Sequence, residues 1–178
     1  HCQTAIRIIN NAGLFAKTPD KDNVKKITRL LFSNILATDM ASHKDIMTMV
    51  DDTLLDEDDE ENIFDASNEA HRELAMRALL KMADISNPSK EFSTGRRWGL
   101  AVTEEFFKQG DVERNEGRDI SPMCDREAKT DLAKSQIGFI QFMVKPYYSL
   151  CAKVFPPLQV IVDNLNSNLQ RWQKVAAA

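Results

Sequence analysis

A chain of 178 residues fits one domain, and a domain of that size buries roughly 70% of the surface its unfolded chain exposes. With 43% hydrophobic residues, 28% charged residues and a net charge of −4, it has an ordinary globular composition and lacks the basic balance of a nucleic-acid or anionic-membrane partner. No apolar run approaches the ~20 residues that cross a bilayer, and no signal-peptide pattern opens the chain.

Cys2, Cys124 and Cys151 are odd in number and widely spaced. They form neither a zinc motif nor a disulfide framework, so a reducing, cytoplasmic compartment is expected. The chain opens on His1 and closes on Ala176-Ala177-Ala178, and both ends read as cuts in a longer protein.

The periodicity is helical throughout, and almost no strand is expected. From Thr4 to Asn11, Ala5, Ile8, Ile9 and Ala12 share one face, which stops near Gly13. A long helix is predicted from Asp22 to Thr38, with Val24, Ile27, Leu30, Leu31, Asn34 and Ile35 in register and Asp20 or Asp22 as N-cap. Residues 51–61 hold eight acidic residues and no basic one, which reads as an acidic, solvated loop without the Gly-containing ligand spacing of a calcium site.

A helix is then expected from Glu69 to Asp84, with Leu74, Ala75, Ala78, Leu79, Met82 and Ala83 facing a core and Asp84 turned inward or into a cleft. After Pro88, Ser93 or Thr94 can cap a helix reaching Gln109, its apolar side built from Trp98, Leu100, Ala101, Val102, Phe106 and Phe107. A further helix runs from Lys129 to Val144, with Pro146 as kink or boundary, and a last one from Leu158 to Val175. No internal repeat is visible, so the fold class is all-α, a compact multi-helix bundle forming one domain over residues 1–178.

Four places carry more chemistry than a core requires. Asp84 ends an apolar helix and is followed at once by Ile85-Ser86-Asn87-Pro88. Read alone, that is turn chemistry; a carboxylate turned inward would instead need a cation, a metal or donors. Asp39 ends the helix before it, in Leu36-Ala37-Thr38-Asp39-Met40. Phe106 to Asp111 leads through to Ser121-Pro122-Met123-Cys124-Asp125. Gln136 and Phe139 are three apart on one helix face. An amide offers a donor and an acceptor side by side to a purine edge, and a Phe ring can stack on the base for ~1–3 kcal/mol. Taken singly, each of the two is more simply a packing residue.

The segments LATDM, ADISNP, EEFFKQGD, ISPMCDR and KSQIGFI, in that order, resemble the class I cyclic-nucleotide phosphodiesterases. The resemblance spans essentially the whole chain but only the C-terminal half of the family's catalytic domain. The segment from Leu100 to Phe106 is similar to the protozoan branch.

The resemblance implies hydrolysis of 3′,5′-cyclic nucleotides, cAMP or cGMP, to 5′-monophosphates by metal-activated water, with Zn2+ and a second ion, Mg2+ or Mn2+. Asp84 matches a metal-ligating Asp. Asn87, Val102, Phe106, Met40 and Met123 match positions around the nucleotide, Gln136 the purine-binding amide and Phe139 its stacking partner. Asp39 matches an Asp near the phosphate, outside the metal's own ligands. His1 matches the second of two adjacent His beside the metal pocket.

The implied partners are a cyclic nucleotide and the upstream half of the domain, with no nucleic acid and no membrane span; an oligomer is compatible. The remaining metal ligands and a general-acid His are expected upstream, so these 178 residues alone are expected to be inactive. His43 and His71 read as surface residues. Gly95 and Gly99 are expected to widen the pocket and alter inhibitor selectivity. Two other readings stay open: a non-catalytic helical interaction module, and a metal phosphohydrolase acting on another nucleotide.

Overall fold

A computed structural model of the chain describes residues 1–55, 62–128 and 131–177. Among these the secondary structure is helical, apart from one isolated bridge between Leu55 and Asn62. The chain forms two compact units, His1–Asp84 and Ile85–Ala178.

The first unit contains α1 (Cys2–Asn11), α2 (Lys21–Ala37), α3 (His43–Leu54) and α4 (Glu69–Asp84). Asp20 starts α2 by accepting hydrogen bonds from the backbone of Asp22 and Asn23, a cap worth ~1 kcal/mol. α2 and α3 both pack on α4. The interior is made by Ile46, Val50 and Leu54 of α3 with Leu74, Ala75, Ala78 and Met82 of α4. An exposed Arg29–Glu73 ion pair joins α2 to α4.

Three expectations change here. Leu79 is 40% exposed and Ala83 is exposed, because the stripe that α4 buries runs instead through Ala78 and Lys81. The acidic segment expected as a loop over 51–61 begins inside α3, where Asp51 to Leu54 are helical because Val50 and Leu54 continue the stripe of Ile46. Its remainder, 56–61, lies outside the described residues. His43, expected at the surface, is 6% exposed and opens the buried face of α3.

The second unit contains α5 (Phe92–Asn115), α6 (Leu132–Phe139), α7 (Lys145–Val154) and α8 (Gln159–Ala176). The N-cap of α5 is Glu91, whose carboxylate accepts from the Thr94 backbone, rather than Ser93 or Thr94. The helix continues past Gln109 to Asn115. Its buried positions are Gly95, Gly99, Gly110 and Glu113, whereas Trp98 and Leu100 are exposed. Neighbouring segments therefore approach this helix closely along a line of glycines, as backbone at Gly95 and Gly110 and as a side chain at Gly99.

Residues 132–154 form one continuous helical run. A π-turn at Ile140–Val144 lies just before Pro146. Proline has no N–H, and its ring crowds the carbonyl four residues back. The wider π-turn absorbs that mismatch without a break. Asp131 caps α6 through Ala133 and Lys134; positions 129 and 130 of the expected helix lie outside the described residues. α7 and α8 pack together, and Tyr147, Tyr148, Cys151, Val162, Leu165 and Trp172 are all buried.

Candidate functional site

In the first unit, His1, Cys2, Thr38, Asp39, Leu80 and Asp84 line an open cavity of about 1090 Å³. The three residues expected near a metal and phosphate, Asp84, Asp39 and His1, thus share one cavity. Asp84 is not turned into the core: it is exposed at the end of α4 and reaches the cavity from its wall. Two helical residues past Met82, it lies beyond the packed face. Asp39 is likewise exposed, and its carboxylate accepts from the Ala41 backbone, ending the turn after α2. Met40, next in that turn, is 40% exposed.

Beneath these carboxylates lies Lys81, with a fully buried side chain. Its ammonium donates to the carbonyls of Ala37 at 3.0 Å and Asp39 at 2.9 Å, where α2 has no further N–H to offer. Burial lowers the Lys81 pKa, and the charges of Asp84 and Asp39 oppose that shift. Lys81 is absent from the sequence reading, although its spacing, three residues after Ala78 and four before Ile85, puts it on the stripe that includes Leu74.

A divalent cation bound by protein side chains takes several donors. Among the described residues no group of three His, Cys, Asp or Glu is placed to hold one. Among the described residues the cavity offers a carboxylate at its wall rather than a full ligand set. The other two His residues do not add to it: His43 is buried in α3, and His71 is half-buried, its Nδ1 accepting from the Asp65 backbone.

In the second unit, Gln136 on α6 is buried at 6% exposure, and its amide makes no hydrogen bond among the described residues. It rests against Gly99: a Cβ there would lie 3.2–3.4 Å from the amide carbon, nitrogen and oxygen. Phe139, one turn further, is half-buried, as are Val102 and Phe106 on α5. Asn87 sits in a 3₁₀ turn, Asn87–Ser89. A Cβ on Gly95 would come within 2.8 Å of the Asn87 carbonyl. From α8, the buried Asn168 amide donates to the carbonyls of Pro88 at 2.7 Å and Lys90 at 2.6 Å. Gly95 and Gly99 thus do not open empty space, as their size alone suggested. The room they leave is taken by the Asn87 turn and the Gln136 amide.

The segment after α5 is held back on that helix. Glu113, 4% exposed, accepts from the Ser121 backbone at 2.7 Å, the Ser121 hydroxyl at 2.8 Å and the Gln109 amide at 2.8 Å. These donors, the Ser121 N–H foremost, lower its pKa to about 2 from 4.5. The charged form is the one the fold stabilises, so its contribution is present above pH ~4.5 and is lost as pH falls towards 2. Acid titration monitored by Ser121 amide protection should show that loss. Glu113→Gln should remove the transition, and an unchanged profile in that variant would refute the assignment. Arg114 and Arg126 add exposed links, Arg114 to Asp125 and Arg126 to Glu104 and Asp111. Met123 in this segment is 66% exposed at φ 68°.

Among the described residues the fold is helical, with a carboxylate-walled cavity in the first unit and, in the second, a buried amide one helical turn from an aromatic residue. A family model for 3′,5′-cyclic nucleotide phosphodiesterases matches residues 1–165. The chain belongs to that family.

The chain is 34% identical to isoform F of the 3′,5′-cyclic-AMP phosphodiesterase of Drosophila melanogaster, over 98% of its own length and 27% of that protein's. It is 36% identical to the human high affinity cGMP-specific 3′,5′-cyclic phosphodiesterase 9A, over 91% and 26%. The structure of LmjPDEB1 in complex with IBMX superposes with a TM-score of 0.88 at 37% identity, covering 99% of this chain and 52% of that one. The phosphodiesterase domain of Salpingoeca rosetta rhodopsin phosphodiesterase gives 0.80 at 30% identity, covering 90% and 48%. The chain thus spans about a quarter of those two relatives and about half of each solved chain.

Proposed function

We propose that the protein carrying this chain hydrolyses 3′,5′-cyclic nucleotides to 5′-monophosphates. In this reading the chain supplies the purine-binding residues and one metal carboxylate. The observation that carries it is Gln136: a buried residue whose amide packs on Gly99 and has no hydrogen bond among the described residues, one turn from Phe139. Its amide atoms are not among the fully buried unpaired ones, so they stay available to a base edge, which would meet both the donor and the acceptor. Family membership supplies the base's identity as that of a cyclic nucleotide.

Asn87, Val102, Phe106, Met40 and Met123 are assigned to the pocket around the nucleotide, and Phe139 to stacking on the base. Asp84 is assigned to metal, with Asp39 and His1 supporting it. Family membership implies a metal-dependent reaction, and Zn2+ with Mg2+ or Mn2+ is the proposed pair. Metal ions lower the pKa of bound water and offset charge on phosphorus. The remaining ligands are assigned to the rest of the catalytic domain. No helix among the described residues is long and apolar enough to cross a membrane, and the proposed compartment is the cytoplasm.

Among the described residues no bond fixes which end of the Gln136 amide donates, so the proposal covers both cAMP and cGMP. The named relatives include enzymes of each kind.

The test is hydrolysis of both nucleotides by the full-length protein. Gln136→Ala should raise KM about tenfold, the worth of a buried hydrogen bond. Asp84→Asn should lower the bound metal measured by elemental analysis. Absence of turnover with either nucleotide, or an unchanged KM in Gln136→Ala, would sink the reading.

A further inference from the structure

Glu113 has a place in this site that its sequence position on a charged helix end does not suggest. Among the described residues it is the one buried carboxylate, and none of the ion pairs there includes it. Its three hydrogen bonds serve instead to hold one residue, Ser121, and the amide of Gln109 that also approaches Ser121. A carboxylate accepting a backbone N–H and a hydroxyl from the same residue fixes both the position and the direction of the chain there.

Two residues on, Met123 has φ 68°, a conformation that costs energy for any residue with a Cβ. Such a conformation persists when the surroundings over-determine it. Both sides of Met123 are so determined. Ser121 is gripped by Glu113. Cys124 is buried at 4% exposure, with its carbonyl set where a Cβ on Gly110 would lie 2.0 Å away. Asp125 and Arg126 are tied to the same helix through Arg114, Glu104 and Asp111. Between these grips the Met123 side chain is presented outward, at 66% exposure, rather than packed away. A large apolar side chain held outward at the expense of backbone strain has the form of a preset wall for a ligand.

We propose that Glu113 is a positioning residue: it fixes the strained Met123 segment and thereby sets how tightly the nucleotide is held. This rests on the reading of Met123 as part of the nucleotide pocket. Glu113 touches no reacting atom, so its effect falls on KM and passes through Met123.

A double-mutant cycle in the full-length protein separates this from a merely structural role. Glu113→Gln keeps the shape but loses the charged double acceptor. It should raise KM for cyclic nucleotide about fivefold to tenfold with kcat changed less than twofold. In the Met123→Ala background the same substitution should change KM less than twofold. An equal KM increase in both backgrounds would overturn the proposal, as would an unchanged KM in the single variant or a kcat that falls with it. Where Glu113→Gln yields no folded protein, Ser121→Ala enters the same cycle, because it removes only the hydroxyl donor and keeps the backbone N–H. The same outcomes then decide. A wild-type protein that turns over no cyclic nucleotide would instead remove the underlying functional reading, which the Glu113 cycle does not address.

Discussion

Replacing Gly110 by alanine should destabilise the second unit by about 3 kcal/mol, the upper part of the range for an overpacked core site. An ideal Cβ at this position falls 2.0 Å from the Cys124 carbonyl oxygen and 2.7 Å from its carbon. Those are backbone atoms, so no side-chain rotation relieves the overlap. Either α5 or the segment through Cys124 must move. The ~1 kcal/mol that alanine gains over glycine in a helix is too small to offset this.

Gly138 is the matched control, because a Cβ there meets nothing within 4 Å. Gly138→Ala should be neutral or stabilising by up to ~1 kcal/mol. Urea denaturation of the full-length protein and both variants, with hydrogen exchange across residues 117–125, measures the contrast. Equal stabilities for the two variants would show that the close approach at Gly110 is wrong.

Lys81→Met should cost about 2–4 kcal/mol in the first unit. The stem of Lys81 packs in the interior as a Met would, so the volume is kept. What is lost is the ammonium that serves the Ala37 and Asp39 carbonyls, and an orphaned buried carbonyl costs ~1–3 kcal/mol. The desolvation that lowers the Lys81 pKa is recovered on substitution, which sets the upper bound. Faster amide exchange over residues 38–42 should accompany the loss, because those backbone groups form the turn that carries Asp39. A change below ~0.5 kcal/mol would place Lys81 among ordinary surface substitutions and refute the account.

Most of the helices follow from periodicity and caps. Asp20 before α2, the stripe of Leu74, Ala75, Ala78 and Met82, and Pro156-Pro157 before α8 are local signals, and the structure agrees with each. α3 was hidden because its last turn, Asp51 to Leu54, looks like the acidic stretch that follows it. The limits of α5 were misjudged because its buried side is glycine and Glu113, residue types that a hydrophobic pattern does not count.

The candidate site divides in the same way. Asp84, Asn87, Gln136 and Phe139 could be picked out in the sequence because each breaks a pattern: a carboxylate or amide follows an apolar run, or an aromatic sits three residues from an amide. Their surroundings could not. Lys81 under Asp39, Asn168 on the carbonyls beside Asn87, Glu113 on Ser121 and Gly110 against Cys124 join residues that are 8 to 80 positions apart or fill a volume no pattern reports. Whether a glycine leaves space or has it filled depends on which segment arrives there, the Asn87 backbone at Gly95 and the Gln136 amide at Gly99.

The sequence by itself determined the helical class and most of the helices, and it marked out the candidate site residues, since these rest on short-range periodicity and on motifs of a few residues. Only the tertiary structure decided that Asp84 is exposed at a cavity wall, that Gln136 is a buried amide without a partner, and that Met123 is held outward under strain. Each of those depends on burial and hydrogen bonding between segments distant in the chain.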